Sequence, residues 1–211
     1  MEIENPWGLV IIFSAFMIQV VAFGYSFAWG IYIVELLSLY QTSAWILALI
    51  GSVNIGIFLG AGPLVSLMMR FLSYRKVALI GAALSSLGML IMPFTPAIEL
   101  LLLFYGVMAG LGYCMLYIPS HVLSGLYYNK HRSLATGIAT AGSGLGSIVY
   151  PLLTQYLINV YGWRGSMLIL AGINMNTFWL SGLLRPAPVQ VRTKGQSEKI
   201  HRHRYQPTLR W

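Results

Sequence analysis

Six long apolar stretches limit what this 211-residue chain can fold into. They cover residues 7–34, 44–69, 77–94, 98–126, 134–160 and 166–184, and a helix needs ~20 residues to cross a bilayer. In hydrocarbon, every backbone amide must be satisfied within its own segment unless a barrel closes. Barrel strands would alternate polar and apolar residues, and none of these stretches does. The sequence therefore predicts an all-α polytopic membrane protein with six transmembrane helices.

The basic residues predict how these helices are oriented. Twelve of the thirteen Lys and Arg residues fall on one side of the six spans, and only Arg164 falls on the other. Because short loops rich in Lys and Arg stay in the cytoplasm, both termini are predicted to be cytoplasmic. The expected organisation is an N-terminal segment at residues 1–6, a transmembrane domain at residues 7–185 and a basic tail at residues 186–211. The tail has too few apolar residues to bury a core, so we expect it to be disordered and attracted to anionic lipid.

The composition argues against an enzyme. The chain contains no Asp, and it offers no pair of buried carboxylates, no His–His or Cys–His spacing and no activated Ser–His arrangement, although a catalytic site needs such groups to converge in a pocket. We therefore expect no catalytic residue, no metal site and no cofactor. The net charge of +8 is explained by the orientation signal and the tail, with no soluble domain to read a nucleic acid groove.

Two features inside the spans are candidates for function. Gln19, Phe23, Ser26 and Gly30 recur at helical spacing in the first span and share one face, which we expect to line the bundle interior or an aqueous cavity. His121 is the one ionisable side chain well inside an apolar stretch. Polar groups at membrane depth mark function by default, so His121 is either a proton-responsive group or a histidine near the membrane interface.

Glycine and proline predict close packing and bends. Glycines spaced four apart allow two helix backbones to approach closely, and an internal proline removes a helical hydrogen bond. The glycine pairs are Gly56 and Gly60, Gly106 and Gly110, and Gly142 and Gly146; the prolines are Pro63, Pro119 and Pro151.

One segment points to a family. Residues 127–142 read YYNKHRSLATGIATAG, which resembles the signature of the monocarboxylate transporter family, a branch of the major facilitator superfamily. The similarity covers residues 5–186, with separate motifs in the family's order. These motifs include Trp7-Gly8, Gly62-Pro63, Arg75, Tyr117 to Pro119, Tyr161 to Gly165 and Leu183 to Pro186.

The resemblance implies a secondary transporter that moves a small organic solute by alternating access, often with a proton, in the plasma membrane. In such folds the solute binds near the membrane midplane between two halves. A lysine that the family carries in its first span aligns with Phe27, so a neutral, zwitterionic or aromatic solute is as consistent with the sequence as a monocarboxylate. The resemblance adds two sets of residues to the candidates. The substrate-cavity set becomes Gln19, Phe23, Ser26, Phe27 and Thr136; the motif and gating set is Arg75, Tyr127, Lys130, Arg132, Gly137 and Gly142.

The family has twelve spans, and this chain provides the six of the N-terminal half. Three alternatives follow. The chain is a truncated form that is inactive alone, it pairs with another copy or with a separate second half, or it is a non-transporting interaction or regulatory partner in the membrane. Its expected partners are membrane lipids, a small organic solute and, for a coupled carrier, a proton.

Overall fold

The computed structural model describes residues 7–95, 97–128 and 131–185. The predictions for residues 1–6 and for the tail at residues 186–211 lie outside these ranges. The described residues are almost entirely helical, which confirms the all-α prediction. The helices are α1 (Trp7–Tyr40), α2 (Ala44–Gly60), α3 (Gly62–Phe71), α4 (Tyr74–Ile91), α5 (Ile98–Leu126) and α6 (Arg132–Leu183).

Helices α2 and α3 are together long and apolar enough for one bent span. They meet at an angle of 43° across Ala61, with Pro63 in the first turn of α3. Proline is tolerated in the first turn of a helix, where its missing N–H has no helical partner. The bend predicted near Pro63 is therefore present, and it divides the second apolar stretch into two helices. A 3₁₀ turn at Met92–Phe94 extends α4, and α5 contains a π-helical stretch at Leu102–Ala109.

Helix α6 contains two spans joined at one glycine. At ~1.5 Å per residue, its 52 residues would reach about 78 Å if straight, far more than the ~30 Å hydrocarbon core. Gly162 breaks the helix with φ 71° and ψ 173°, a conformation open essentially to glycine alone. It separates a first arm at residues 132–161 from a second arm at residues 163–183.

The first arm of α6 runs parallel to α1 and touches its backbone. A methyl group at Gly142 would overlap the carbonyl oxygen of Phe16, and one at Gly146 would overlap that of Val20. Because residue numbers rise together along this contact, the two helices run in the same direction. The small-residue packing predicted for this span therefore joins it to α1.

The second arm runs antiparallel to α1. The hydroxyls of Tyr32 and Ser166 lie 2.7 Å apart, and the Trp7 indole N–H donates to the carbonyl oxygen of Leu183 at 3.4 Å. The start of α1 thus meets the end of the second arm, and the end of α1 meets its start. Since both arms lie along α1, α6 is a hairpin. Within the described residues, four helices are long and apolar enough to cross a membrane, or five with the bent pair, and the hairpin provides the sixth span.

Helix α4 is held on both sides by small or polar contacts. Towards α5, a methyl group at Gly81 would lie only 2.7 Å from the carbonyl oxygen of Gly112. Towards the second arm of α6, the Asn174 amide nitrogen donates to Ser85 at 3.1 Å and to Ser86 at 3.0 Å. These contacts fix α4 between its neighbours without any charged group.

The outer surface of the bundle remains apolar. Phe71 is 83% exposed and Trp179 is 80% exposed. Such side chains suit lipid, which is as apolar as they are. The basic side chains Arg70, Arg75, Lys76, Arg132 and Arg185 gather where α3 ends, α4 and α6 begin, and the second arm ends. This is called the basic end below, and Glu35, Glu99 and Arg164 mark the opposite end.

Candidate functional site

Aromatic rings from α1, α2 and α5 meet in one cluster. The ring centroids of Phe23 and Phe58 are 4.9 Å apart, and the Tyr117 ring lies 5.7 Å from Phe23 and 5.8 Å from Phe58. The imidazole of His121 stacks on Tyr117 at 5.5 Å. Phe23, Tyr117 and His121 are half-buried, so they form an accessible surface, called the aromatic face below.

A wall of buried rings supports the aromatic face. Trp29 stacks on Tyr105 with centroids 4.1 Å apart, and Tyr25 lies 5.5 Å from Tyr105 and 6.0 Å from Tyr113. The Trp29 indole N–H donates to the carbonyl oxygen of Leu47 on α2 at 2.9 Å. These interlocked rings hold α1, α2 and α5 in a fixed arrangement beside the site.

Gln19 is fully buried, and its amide nitrogen and oxygen have no hydrogen-bond partner. On α1, Gln19 lies one helical turn nearer the basic end than Phe23. On α5, His121 lies one helical turn nearer the same end than Tyr117. Because the Phe23 and Tyr117 rings touch, Gln19 and His121 lie at the same level of the bundle. The Nδ1 atom of His121 is also buried without a partner. Buried polar atoms are nearly always paired, so this level has unused hydrogen-bonding capacity.

Ser26 is engaged in a contact between helices. Its hydroxyl lies 2.9 Å from the carbonyl oxygen of Ala22 and 3.3 Å from the side-chain oxygen of Asn54. The Asn54 amide nitrogen in turn donates to the carbonyl oxygen of Tyr105 at 2.7 Å. This chain joins α1, α2 and the π-helical stretch of α5, so the structure places Ser26 at a packing contact.

Phe27 and Thr136 lie far apart. Phe27 is 54% exposed, whereas Thr136 is half-buried and its hydroxyl donates to the carbonyl oxygen of Arg132 at 3.0 Å. Since Gly142 packs against Phe16, Thr136 lies about 25 Å from Phe27 along the helix axes, at ~1.5 Å per residue. One small solute cannot touch both. The five cavity candidates therefore do not form one site, and Phe23 with Gln19 is the part that the structure brings together.

The motif residues surround the basic end. Arg75 and Arg132 are exposed, Gly142 packs against α1, and Gly137 has open space where a side chain would be. Lys130 lies outside the described residues. The motif therefore combines surface charge with a contact between helices.

Three helices are tied together at this end. The Tyr127 hydroxyl donates to the carbonyl oxygen of Arg185 at 3.2 Å, and the Arg185 guanidinium lies 4.5 Å from the ring centroid of Trp7. Burial raises the pKa of the Tyr127 phenol, and the nearby Arg185 charge partly offsets this rise. The end of α5, the end of α6 and the start of α1 are thus joined at the basic end.

The first arm of α6 carries a polar stripe that sequence reasoning missed. Its hydroxyls donate to carbonyl oxygens of their own helix at 2.7–3.0 Å, and the side chains are exposed or half-buried. Their spacing of four, three and four residues puts them on one face, a signal present in the sequence. The stripe consists of Thr136, Thr140, Ser143 and Ser147.

Comparison with known proteins identifies the class. The family model of the Major Facilitator Superfamily matches residues 9–209. Monocarboxylate transporter 14 of Homo sapiens is 34% identical over 185 residues, which is 88% of this chain and 36% of that protein. Monocarboxylate transporter 3 of Gallus gallus is 34% identical over 90% of this chain and 35% of its own length. Monocarboxylate transporter 4 of Rattus norvegicus is 32% identical over 98% of this chain and 44% of its own length.

The chain is thus an integral, multi-pass membrane protein of a transporter superfamily, not of an enzyme class. Within the Major Facilitator Superfamily it belongs to the monocarboxylate transporter family, as the motifs after Tyr127 predicted. It spans 36%, 35% and 44% of the three relatives above.

Proposed function

We propose that this chain is the N-terminal half of a secondary transporter that moves a small organic solute by alternating access. The aromatic face carries this proposal, because it joins accessible rings to the unpaired polar atoms of Gln19 and His121. Ligand sites of this kind are mostly apolar, with a few placed polar groups. The orientation has both termini in the cytoplasm, and the plasma membrane is the family's expected location.

The chemistry of the aromatic face favours a planar solute without a strong net charge. Helix α1 contains no Lys or Arg, and Phe27 stands where the family's lysine aligns. Ring faces offer stacking surface, and an amide offers both donors and an acceptor. A neutral, zwitterionic or aromatic solute meets these groups better than a small aliphatic anion. His121 is the candidate for a proton response, because it is the imidazole on this face.

A second half completes the site. Ser and Thr side chains towards lipid gain nothing beyond bonds to their own helix, whereas a neighbouring helix or a water-filled cavity can pair with them. The polar stripe on α6 therefore suits a face covered by another six-helix unit, provided by a second copy or by a separate chain.

Uptake into proteoliposomes tests the proposal. The chain alone and the chain fused to the second half of a relative would be assayed with labelled lactate, neutral aromatic amino acids and benzoate, at two external pH values. We expect uptake from the fusion, an at least tenfold loss in Gln19→Leu, and normal uptake in the matched control Gln155→Leu, whose side chain is exposed on α6. The proposal fails if the fusion folds but moves none of these solutes, or if Gln19→Leu and Gln155→Leu behave alike.

The second candidate function is a non-transporting membrane partner. Affinity purification from cells with quantitative mass spectrometry distinguishes the two, because a regulatory partner co-purifies in fixed ratio with a full-length carrier and alters that carrier's uptake.

A further inference from the structure

Basic side chains collect at the point where α4 begins beside the end of α6. The Arg75 guanidinium lies over Gly182, with a terminal nitrogen 3.9 Å from where a methyl group on that glycine would be. Lys76 follows Arg75 and is exposed, and Arg185 is exposed three residues beyond Gly182. Because Gly182 has no side chain, the exposed Arg75 guanidinium can lie close to the backbone of α6 there.

This charge has no acidic counterpart nearby. In the part of the chain that the structure describes, the acidic residues are Glu35 and Glu99. Glu35 lies near the far end of α1, and Glu99 lies at the start of α5, so both are on the opposite side of the bundle. Like charges placed close together repel one another unless an anion compensates them. This cluster of exposed basic side chains therefore suits an anionic ligand.

The surroundings indicate which anion. Trp7 lies beneath the Arg185 guanidinium at 4.5 Å and donates its indole N–H to the carbonyl oxygen of Leu183. Tryptophan is enriched at the level of the lipid head groups, so we expect these residues to lie at that level. Phosphate oxygens match the donor geometry of an Arg guanidinium. Basic pockets between transmembrane helices on the cytoplasmic side bind anionic head groups.

We propose that Arg75, Lys76 and Arg185 form a binding site for the phosphate head group of an anionic phospholipid, with Gly182 as its floor. In the proposed orientation the site faces the cytoplasmic leaflet, which is the anionic one. The lipid bridges the start of α4 and the end of α6. This site is separate from the aromatic face, so it stands whether or not the chain transports a solute.

Lipid binding to the full chain tests the site. The chain would be placed in nanodiscs of phosphatidylcholine, with and without phosphatidylserine, and bound lipid counted by native mass spectrometry. Each Arg near an anionic membrane surface adds to the free energy of lipid binding. The double variant Arg75→Gln/Arg185→Gln removes two such residues, so we expect it to weaken phosphatidylserine binding about 25-fold. The matched control is Arg164→Gln, because Arg164 also lies over a tryptophan, 5.0 Å from the Trp163 ring centroid, but at the opposite end. It is expected to bind phosphatidylserine as the unaltered chain does.

A second variant separates a built site from a general positive field. Gly182→Leu keeps every charge but places a bulky side chain against the Arg75 guanidinium, so we expect it to lose most of the selective binding. Equal loss in Arg164→Gln, or unchanged binding in either the double variant or Gly182→Leu, would overturn the proposal. So would equal thermal stabilisation by inorganic phosphate in pure phosphatidylcholine, since the site would then recognise a free anion rather than a lipid.

Discussion

Gly81→Ala tests how closely α4 and α5 pack. The added methyl group would lie 2.7 Å from the Gly112 carbonyl oxygen and 2.7 Å from the Met115 Cβ, whereas ordinary contacts begin at 3.4 Å. The helices must therefore separate by about 0.7 Å, because neither neighbouring atom can rotate away. Overpacking of this kind costs ~1–3 kcal/mol, while replacing glycine by alanine in a helix returns ~0.5–1 kcal/mol. We expect the free energy of unfolding to fall by about 1–2 kcal/mol.

Two further variants separate packing from helix propensity. Gly56→Ala has open space around the new methyl group, so it should leave stability unchanged or raise it by up to about 1 kcal/mol. Gly112→Ala meets the backbone nitrogen of Ser85 at 2.5 Å and the Gly81 carbonyl oxygen at 2.8 Å. The methyl groups added in Gly81→Ala and Gly112→Ala push the same two helices apart. The double variant should therefore lose less unfolding free energy than the sum of the two single losses.

The assay is reversible unfolding of the purified chain in mixed micelles of increasing SDS fraction, followed by tryptophan fluorescence. The midpoint shift gives the change in unfolding free energy for each variant. If Gly81→Ala proves as stable as Gly56→Ala, α4 and α5 do not pack at the distance described. If the double variant loses as much unfolding free energy as the two single variants together, Gly81 and Gly112 do not share one contact.

Two shorter predictions concern α6. Gly162→Ala places a methyl group on a residue with φ 71° and should lower stability by ~1–3 kcal/mol. The control Gly144→Ala, with open space around the new methyl group, should not. Thermal unfolding of both variants checks this, and equal stability would mean that the turn does not require glycine. Asn174→Leu removes two hydrogen bonds to α4, each worth ~0.6 kcal/mol on average in membranes, whereas Asn176→Leu removes only a bond within its own helix. The same SDS titration should therefore show a loss of about 1 kcal/mol in unfolding free energy for Asn174→Leu. A loss of the same size in Asn176→Leu would refute the role of Asn174 as a link between α4 and α6.

The spans were predictable from sequence, and their joints were not. The apolar stretch at residues 98–126 coincides with α5, and that at residues 44–69 lies within α2 and α3. Hydropathy finds such stretches because lipid demands them. The apolar pattern left residues 161–165 between the last two spans, yet the helix continues to a single break at Gly162. A turn of one residue leaves almost no trace in hydropathy.

The candidate site was predictable only in part. The repeat of Gln19, Phe23, Ser26 and Gly30 predicted a shared face, but Ser26 is buried while Gly30 has open space where a side chain would be. A helical period shows which residues align, but the neighbouring helix decides which of them it covers. The sequence made His121 a candidate because it is an ionisable group within an apolar stretch. Only the structure shows it stacked on Tyr117 at the level of Gln19.

The sequence by itself determined the class of fold, the number of spans, the expected orientation and the family, because lipid imposes length and charge rules on each segment separately. Tertiary structure decided which helices touch. It placed both arms of α6 along α1 through Gly142 and Ser166, and left the amide of Gln19 without a partner. These outcomes depend on contacts between residues far apart in the chain, and in lipid such contacts arise from close packing and hydrogen bonds rather than from hydrophobicity.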